Sequence, residues 1–152
     1  MDNDPLQSPV SAIMATRIEM VAETIPLSFA AKLMFDKHIT GLPVTTELGE
    51  LIGVISWRDV LAALNQPTHE AGFFEQQGLV TTATSPSALE KLEGTVADRM
   101  SRELVTVLDT ATVGDAARKM AGDNVHRVLI VDDAGNLAGL VSAIDVVRHV
   151  VS

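Results

Sequence analysis

The side chains best suited to chemistry form two matched groups. Ser56-Trp57-Arg58-Asp59 and Ser142-Ala143-Ile144-Asp145 each set a hydroxyl and a carboxylate three residues apart. That spacing closes a capping box at a helix start, where both side chains satisfy first-turn backbone donors. The same helix start, with its exposed N–H groups and a hydroxyl, is also a seat for phosphate. Spacing alone leaves both readings open. Cations stand nearby in sequence. Arg58 lies inside the first group, and His126-Arg127 precedes the apolar run Val128–Val131. A guanidinium presents a fork of donors that matches phosphate oxygens. His126 taken alone also reads as a hydrogen-bonded surface residue at a strand start.

Other chemistries are poorly supplied. There is no Gly-rich phosphate loop, no HExxH and no nucleophile elbow. A Ser56–His126 pair lacks an acid placed to orient the base, so no catalytic residue is expected. The chain has no Cys, which removes disulfides, thiolate nucleophiles and Cys-ligated zinc. His38, His69 and His149 share no metal spacing, and His69 and Glu75 lack a third ligand. No metal site is expected either.

The whole chain bounds the answer further. It has 152 residues, 47% hydrophobic but only 3% aromatic, so the core must be aliphatic. A net charge of −9 argues against nucleic acid, whose partners carry excess Lys and Arg. The first residues lack the basic and apolar regions of a signal peptide. No apolar run reaches the roughly 18 residues of a membrane span. The expectation is an acidic, soluble protein of the cytoplasm.

What must position the two groups is a repeat. Shifting the sequence by 86 positions aligns residues 10–64 with 96–150 without a gap, and 13 of the 55 pairs are identical. Among them are Val10/Val96, Met14/Met100, Met34/Met120, Gly53/Gly139, Ser56/Ser142 and Asp59/Asp145. The lack of gaps and the matches at turns make this modest identity meaningful. Each repeat is nearly neutral, 6 acids against 4 bases in the first and 8 against 6 in the second. The acidity is therefore mostly peripheral, which suits repeats that bind an anion.

Each repeat reads as β-α-β-β-α. A short strand near Met20-Val21 or Val105–Val107 leads to a helix, entered through Pro26 in the first copy. In the second, Thr112-x-x-Asp115 has capping-box spacing. Two strands follow, Leu42–Thr45 with Leu51–Ile55, and Val128–Val131 with Leu137–Val141, around turns at Gly49 and Gly135. A last helix begins after Ser56 or Ser142. Leu33, Met34 and Met120 are expected in the helix core, and Trp57 as a packing anchor or a dimer contact. A unit of about 55 residues buries little apolar surface by itself, so the copies should share one core. The division is a tail 1–9, repeat one 10–64, a linker 65–95 and repeat two 96–152. In the linker Asn65-Gln-Pro67 stops a helix, Thr81–Pro86 is turn-like, and Ser85-Pro86 opens a short helix through Leu92. The aromatic pair Phe73-Phe74 is expected to plug a crevice of the core, or to serve as a lid or dimer contact.

Two β-α-β-β-α units with Gly53-Val-Ile-Ser56-x-x-Asp59 and Gly139-Leu-Val-Ser142-x-x-Asp145 resemble a pair of cystathionine-β-synthase (CBS) domains. The resemblance covers about 110 residues, with the Met, Thr, Leu-Pro-Val and Gly-x-x-Ser-x-x-Asp landmarks in order. The stretch Val125–Asp132 is similar to the nucleotide-binding repeats of the γ subunit of AMP-activated protein kinase. The long linker is similar to small CBS-pair proteins of bacteria and plants. The resemblance implies an α+β (α/β) fold, two repeats packed as a pseudo-twofold pair with small sheets covered by helices. It further implies two clefts that bind adenosine nucleotides (AMP, ADP or ATP), the Asp carboxylate accepting both ribose hydroxyls.

One cleft would then combine Ser56, Arg58 and Asp59 with Leu104, Val125, His126 and Arg127. The other would combine Ser142 and Asp145 with Ile18, Ile39, Thr40 and Gly41. The first gathers cations for a phosphorylated nucleotide. The second has Thr40-Gly41 and Ile144 in the matching places, so it is empty, weaker, or suited to a less charged adenosyl ligand. The implied function is a non-enzymatic regulatory module without a required cofactor, a homodimer that adjusts a partner protein or its own assembly. Two alternatives remain: a structural dimerisation module without ligand, and an S-adenosylmethionine sensor.

Overall fold

Two three-stranded sheets carry the fold, one from each copy of the repeat. The computed structural model describes residues 4–65 and 86–152. The first sheet is ordered β1 (Val21–Ala22), β2 (Gly41–Thr45), β3 (Leu51–Ser56). The second is ordered β4 (Thr106–Leu108), β5 (Arg127–Val131), β6 (Leu137–Ser142). In both, the first strand runs parallel to the second and the third antiparallel. This is the expected α+β class. The helices are α1 (Leu27–Lys37), α2 (Trp57–Leu64), α3 (Pro86–Leu89), α4 (Val113–Asp123) and α5 (Ala143–Val151).

Copies of the repeat share details beyond composition. The hairpin turns place Gly49 at φ 90° and Gly135 at φ 84°, a region that glycine enters without steric cost. Helices α1 and α4 end in left-handed residues, His38 and Asn124, both at φ 55°. The His38 N–H caps the carbonyls of Met34 and Phe35. A register shift interrupts β2 after Val44 and β5 after Ile130, which are again equivalent positions.

By contact the chain divides into residues 19–103 and a second unit of residues 1–18 with 104–152. In the first, Leu27, Ala30, Ala31 and Met34 of α1 pack on Leu42, Val44 and Ile55, with Val60, Leu89 and Val96 completing the core. Trp57 packs half-buried against the same cluster. In the second, Ala116 and Met120 of α4 meet Val128, Ile130, Val141 and Val10. The buried residues of both cores are aliphatic, as the composition requires. Leu33 lies partly buried at the edge of its core.

Val10 and Val96 show an exchange that the repeat pattern does not reveal. The residues that open each repeat pack on the sheet of the other. Ala15 and Leu140 exchange two backbone hydrogen bonds, 2.9 and 3.0 Å, and Val54 and Ser101 exchange two more, both 2.9 Å. The approach leaves no room for a side chain on the facing strand. A Cβ at Gly53 would lie 2.5 Å from the Ser101 carbonyl oxygen, and one at Gly139 would lie 2.5 Å from Met14 Sδ and 3.0 Å from the Ala15 oxygen.

Several boundaries differ from the sequence reading. Strands β1 and β4 begin one residue later than expected. Pro26 is the N-cap residue of α1 rather than its first-turn proline. Helix α3 stops at Leu89 instead of Leu92, because Lys91 and Leu92 donate to the carbonyls three residues back, which tightens the chain into a turn. His69, Phe73-Phe74, Glu75 and the Thr81–Ser85 stretch lie outside the described residues.

The Thr112–Asp115 capping box forms as read. Thr112 N–H donates to Asp115 Oδ2 at 2.9 Å and Asp115 N–H donates to Thr112 Oγ1 at 3.1 Å. The Thr112 backbone donor, then the Arg118 guanidinium at 2.7 Å, hold the Asp115 carboxyl below its usual 3.8. A carboxyl with its folded value depressed adds stability above the unfolded value and loses it as pH falls through the folded one. Asp115→Asn should therefore lower stability at neutral pH and lessen the loss on acidification below about pH 4. Urea unfolding of both proteins at neutral and acid pH checks this.

Candidate functional site: two helix starts

The register of each hairpin delivers the candidate side chains to the start of its last helix. In residues 19–103, Gly41 pairs with Ser56 and Trp57 N–H donates to the Thr40 carbonyl at 3.2 Å. Thr40 and Gly41 thus lie beside Ser56, Arg58 and Asp59, and Ile39 packs into the core beneath. In the other unit, Arg127 pairs with Ser142 and Ala143 N–H donates to the His126 carbonyl at 2.8 Å. His126 and Arg127 therefore flank Ser142 and Asp145, with Val125 packed on the core. Arg58, His126 and Arg127 are exposed. Ile18 and Leu104 are half-buried and lie on the stretches that lead into β1 and β4. Each of these residues lies in one unit or the other.

Each aspartate holds its helix start through one oxygen. Ser56 N–H and the Ser56 hydroxyl both donate to Asp59 Oδ2, at 2.8 and 3.1 Å. Ser142 N–H donates to Asp145 Oδ2 at 2.9 Å, and Asp145 N–H returns a bond to Ser142 Oγ at 3.2 Å. Among the described residues neither Oδ1 has a hydrogen-bond partner. Both carboxylates are half-buried. Each can thus cap its helix and still accept a hydroxyl proton from outside. The two functions weighed from the sequence are compatible in one side chain.

A fourth capping box, which the sequence reading passed over, tempers the motif. Thr95 N–H donates to Asp98 Oδ2 at 2.8 Å, and its hydroxyl approaches the same oxygen at 3.3 Å. Its Thr-x-x-Asp spacing was the available signal. With Thr112–Asp115, the chain thus uses this device at two starts outside the candidate site. The box by itself marks a helix, not a ligand.

Also unforeseen was the place of His149. Its Nε2 lies 3.1 Å from the Pro5 carbonyl oxygen and 3.0 Å from Ser8 Oγ. His149 therefore pins residues 5–8 to α5. Among the described residues there is no group of three or more His, Asp or Glu placed to hold a metal ion. No helix among them is long and apolar enough to cross a membrane.

Two sheets of this topology, each ending in a Ser-x-x-Asp helix start, define a tandem-repeat protein of one domain type. The CBS domain profile matches residues 10–66 and 96–152, and the chain belongs to the CBS-domain family. An uncharacterized protein of Methanocaldococcus jannaschii, MJ1426, is 27% identical over 143 residues, spanning 87% of this chain and 85% of that one. The human 5'-AMP-activated protein kinase subunit gamma-3 is 28% identical over 134 residues, spanning 88% of this chain but only 24% of the subunit. The CBS-pair protein CBSX2 of Arabidopsis thaliana matches in structure with a TM-score of 0.70 and 28% identity, covering 95% of this chain and 94% of that one. The structure of CBSX2 in complex with AMP matches with a TM-score of 0.71 over 95% of this chain and 96% of that one.

Proposed function

We propose that this chain is a non-enzymatic regulatory module that binds an adenosine nucleotide, AMP, ADP or ATP, and so adjusts a partner protein or its own assembly. The observation that carries the reading is the Oδ1 of Asp59 and of Asp145, each without a hydrogen-bond partner among the described residues, taken with the AMP held by CBSX2, a relative that aligns with nearly the whole chain. The ribose diol donates to these carboxylates, and phosphate oxygens meet the exposed cations of the same unit, Arg58 beside Asp59 or His126 and Arg127 beside Asp145. Ser56 and Ser142 complete the helix starts. Ile18, Leu104, Ile39 and Val125 supply apolar surface for the base, and Thr40-Gly41 stand where the other repeat carries its cations. A homodimer, placement in the cytoplasm and an unidentified regulated protein belong to the same reading.

Thermal unfolding with AMP, ADP, ATP, GTP and S-adenosylmethionine tests it. A ligand at 100 times its dissociation constant stabilises by about 2.7 kcal/mol. Stabilisation by adenine nucleotides but not by GTP is expected. Stabilisation by S-adenosylmethionine alone would move the reading to an adenosyl sensor, and no response from ligand-free protein would overturn nucleotide binding.

A scaffold without ligand is the competing reading. It is favoured by the two capping boxes at Thr95 and Thr112, which show the same residues closing helix starts outside the candidate site.

A further inference from the structure

Residues 4–15 belong to the unit of residues 104–152, yet the chain connects the two only through residues 19–103. The segment is well held. Val10 is fully buried in the core of β5 and β6. Val10 N–H donates to the Ala111 carbonyl at 2.9 Å, and Val113 N–H donates to the Ser8 carbonyl at 2.8 Å. Ala15 pairs with Leu140, and His149 pins Pro5 and Ser8. The receiving surface is shaped for it. A Cβ at Gly139 would strike Met14, and one at Gly114 would lie 3.0 Å from the Leu6 carbonyl oxygen. Beyond Ala15, Thr16–Met20 form neither helix nor strand.

We infer that this groove accepts residues 4–15 of a second copy of the chain, giving a segment-exchanged dimer. Every contact that holds the segment within one chain is reproduced between two, since donor and acceptor surfaces are identical. Only Thr16–Met20 must change conformation, and no ladder hydrogen bonds are broken there. The difference between the closed and exchanged forms then rests on the entropy of association and on the hinge, so protein concentration selects between them. This inference is independent of nucleotide binding.

The chain has no cysteine, so Ala15→Cys with Leu140→Cys introduces a single cross-strand pair. Residues opposed in a hydrogen-bonded antiparallel pair have Cα atoms about 5.5 Å apart, within disulfide reach. The full-length variant is refolded at rising concentration from a mixture of isotopically heavy and light chains, then oxidised. Exchange predicts covalent dimers in which position 15 of one isotope joins position 140 of the other. The dimer-to-monomer ratio should rise about tenfold for each tenfold rise in free monomer. Adding His149→Ala should speed the approach to that ratio without changing it, because the contact is lost equally from the closed and exchanged forms. Disulfides that close within single chains at every concentration, including in any dimer seen by sizing, would overturn it. Where the first pair does not fold, Pro9→Cys with Thr112→Cys, opposed across an isolated bridge, asks the same question.

Discussion

Gly53→Ala should melt about 5–10 °C below the parent, the equivalent of roughly 2–3 kcal/mol from overpacking. The added methyl meets the backbone oxygen of Ser101 at 2.5 Å, and a backbone atom held by two reciprocal hydrogen bonds with Val54 cannot step aside as a side-chain tip can. Relief requires Val96–Ser101 to lift from β3, which would withdraw the fully buried Val96 from the core. Gly122→Ala provides the control. A Cβ there meets nothing within 4 Å, and in helix α4 alanine is favoured over glycine by up to about 1 kcal/mol. The same substitution should thus destabilise at one position and stabilise at the other. Differential scanning calorimetry of the two variants decides it, and equal melting temperatures would mean that the segment docks more loosely than the structure places it.

Asp59→Ala should abolish the stabilisation by adenine nucleotide while costing only about 1 kcal/mol of stability through its lost cap. Asp145→Ala should behave in the same way for whatever ligand its helix start holds. Asp98→Ala separates cap from contact. It removes an equivalent box, with Thr95 N–H at 2.8 Å, and should cost a similar amount yet leave the nucleotide response intact. Trp57 is the single tryptophan of a chain without tyrosine, and it adjoins Ser56. Its fluorescence therefore reads binding directly beside Asp59, without recourse to melting. Three aspartate variants with equal stability losses and unchanged nucleotide responses would establish the helix starts as caps alone. A response lost in Asp59→Ala but kept in Asp145→Ala would assign the ligand to the helix start at Ser56, beside Arg58.

Several features could be read from residues alone because they depend on local chemistry. Aliphatic runs around Gly49 and Gly135 specify hairpins, since only a residue at ease with positive φ closes such a turn. Ser or Thr followed three positions later by Asp specifies a helix start, because the reach of those side chains matches the first-turn donors. The 86-residue shift then shows that two such units exist. It also foretold the equivalence of Ser56 and Ser142, which the sheets place at matching corners.

What only the tertiary structure decided concerns partners distant along the chain. Nothing local in Val10-Ser-Ala-Ile-Met14 indicates that it completes the core of the second repeat, or that Val96–Met100 completes that of the first. Nor does Gly53 announce that its missing side chain makes room for Ser101 rather than for a ligand. Likewise His149 gave no sign of reaching Pro5, more than 140 residues away in sequence. The physical reason is common to all three. Capping and turn formation are settled by bonds spanning a few residues, whereas docking a segment depends on shape and on backbone groups left unpaired at a sheet edge. Those acquire meaning only once the sheet exists.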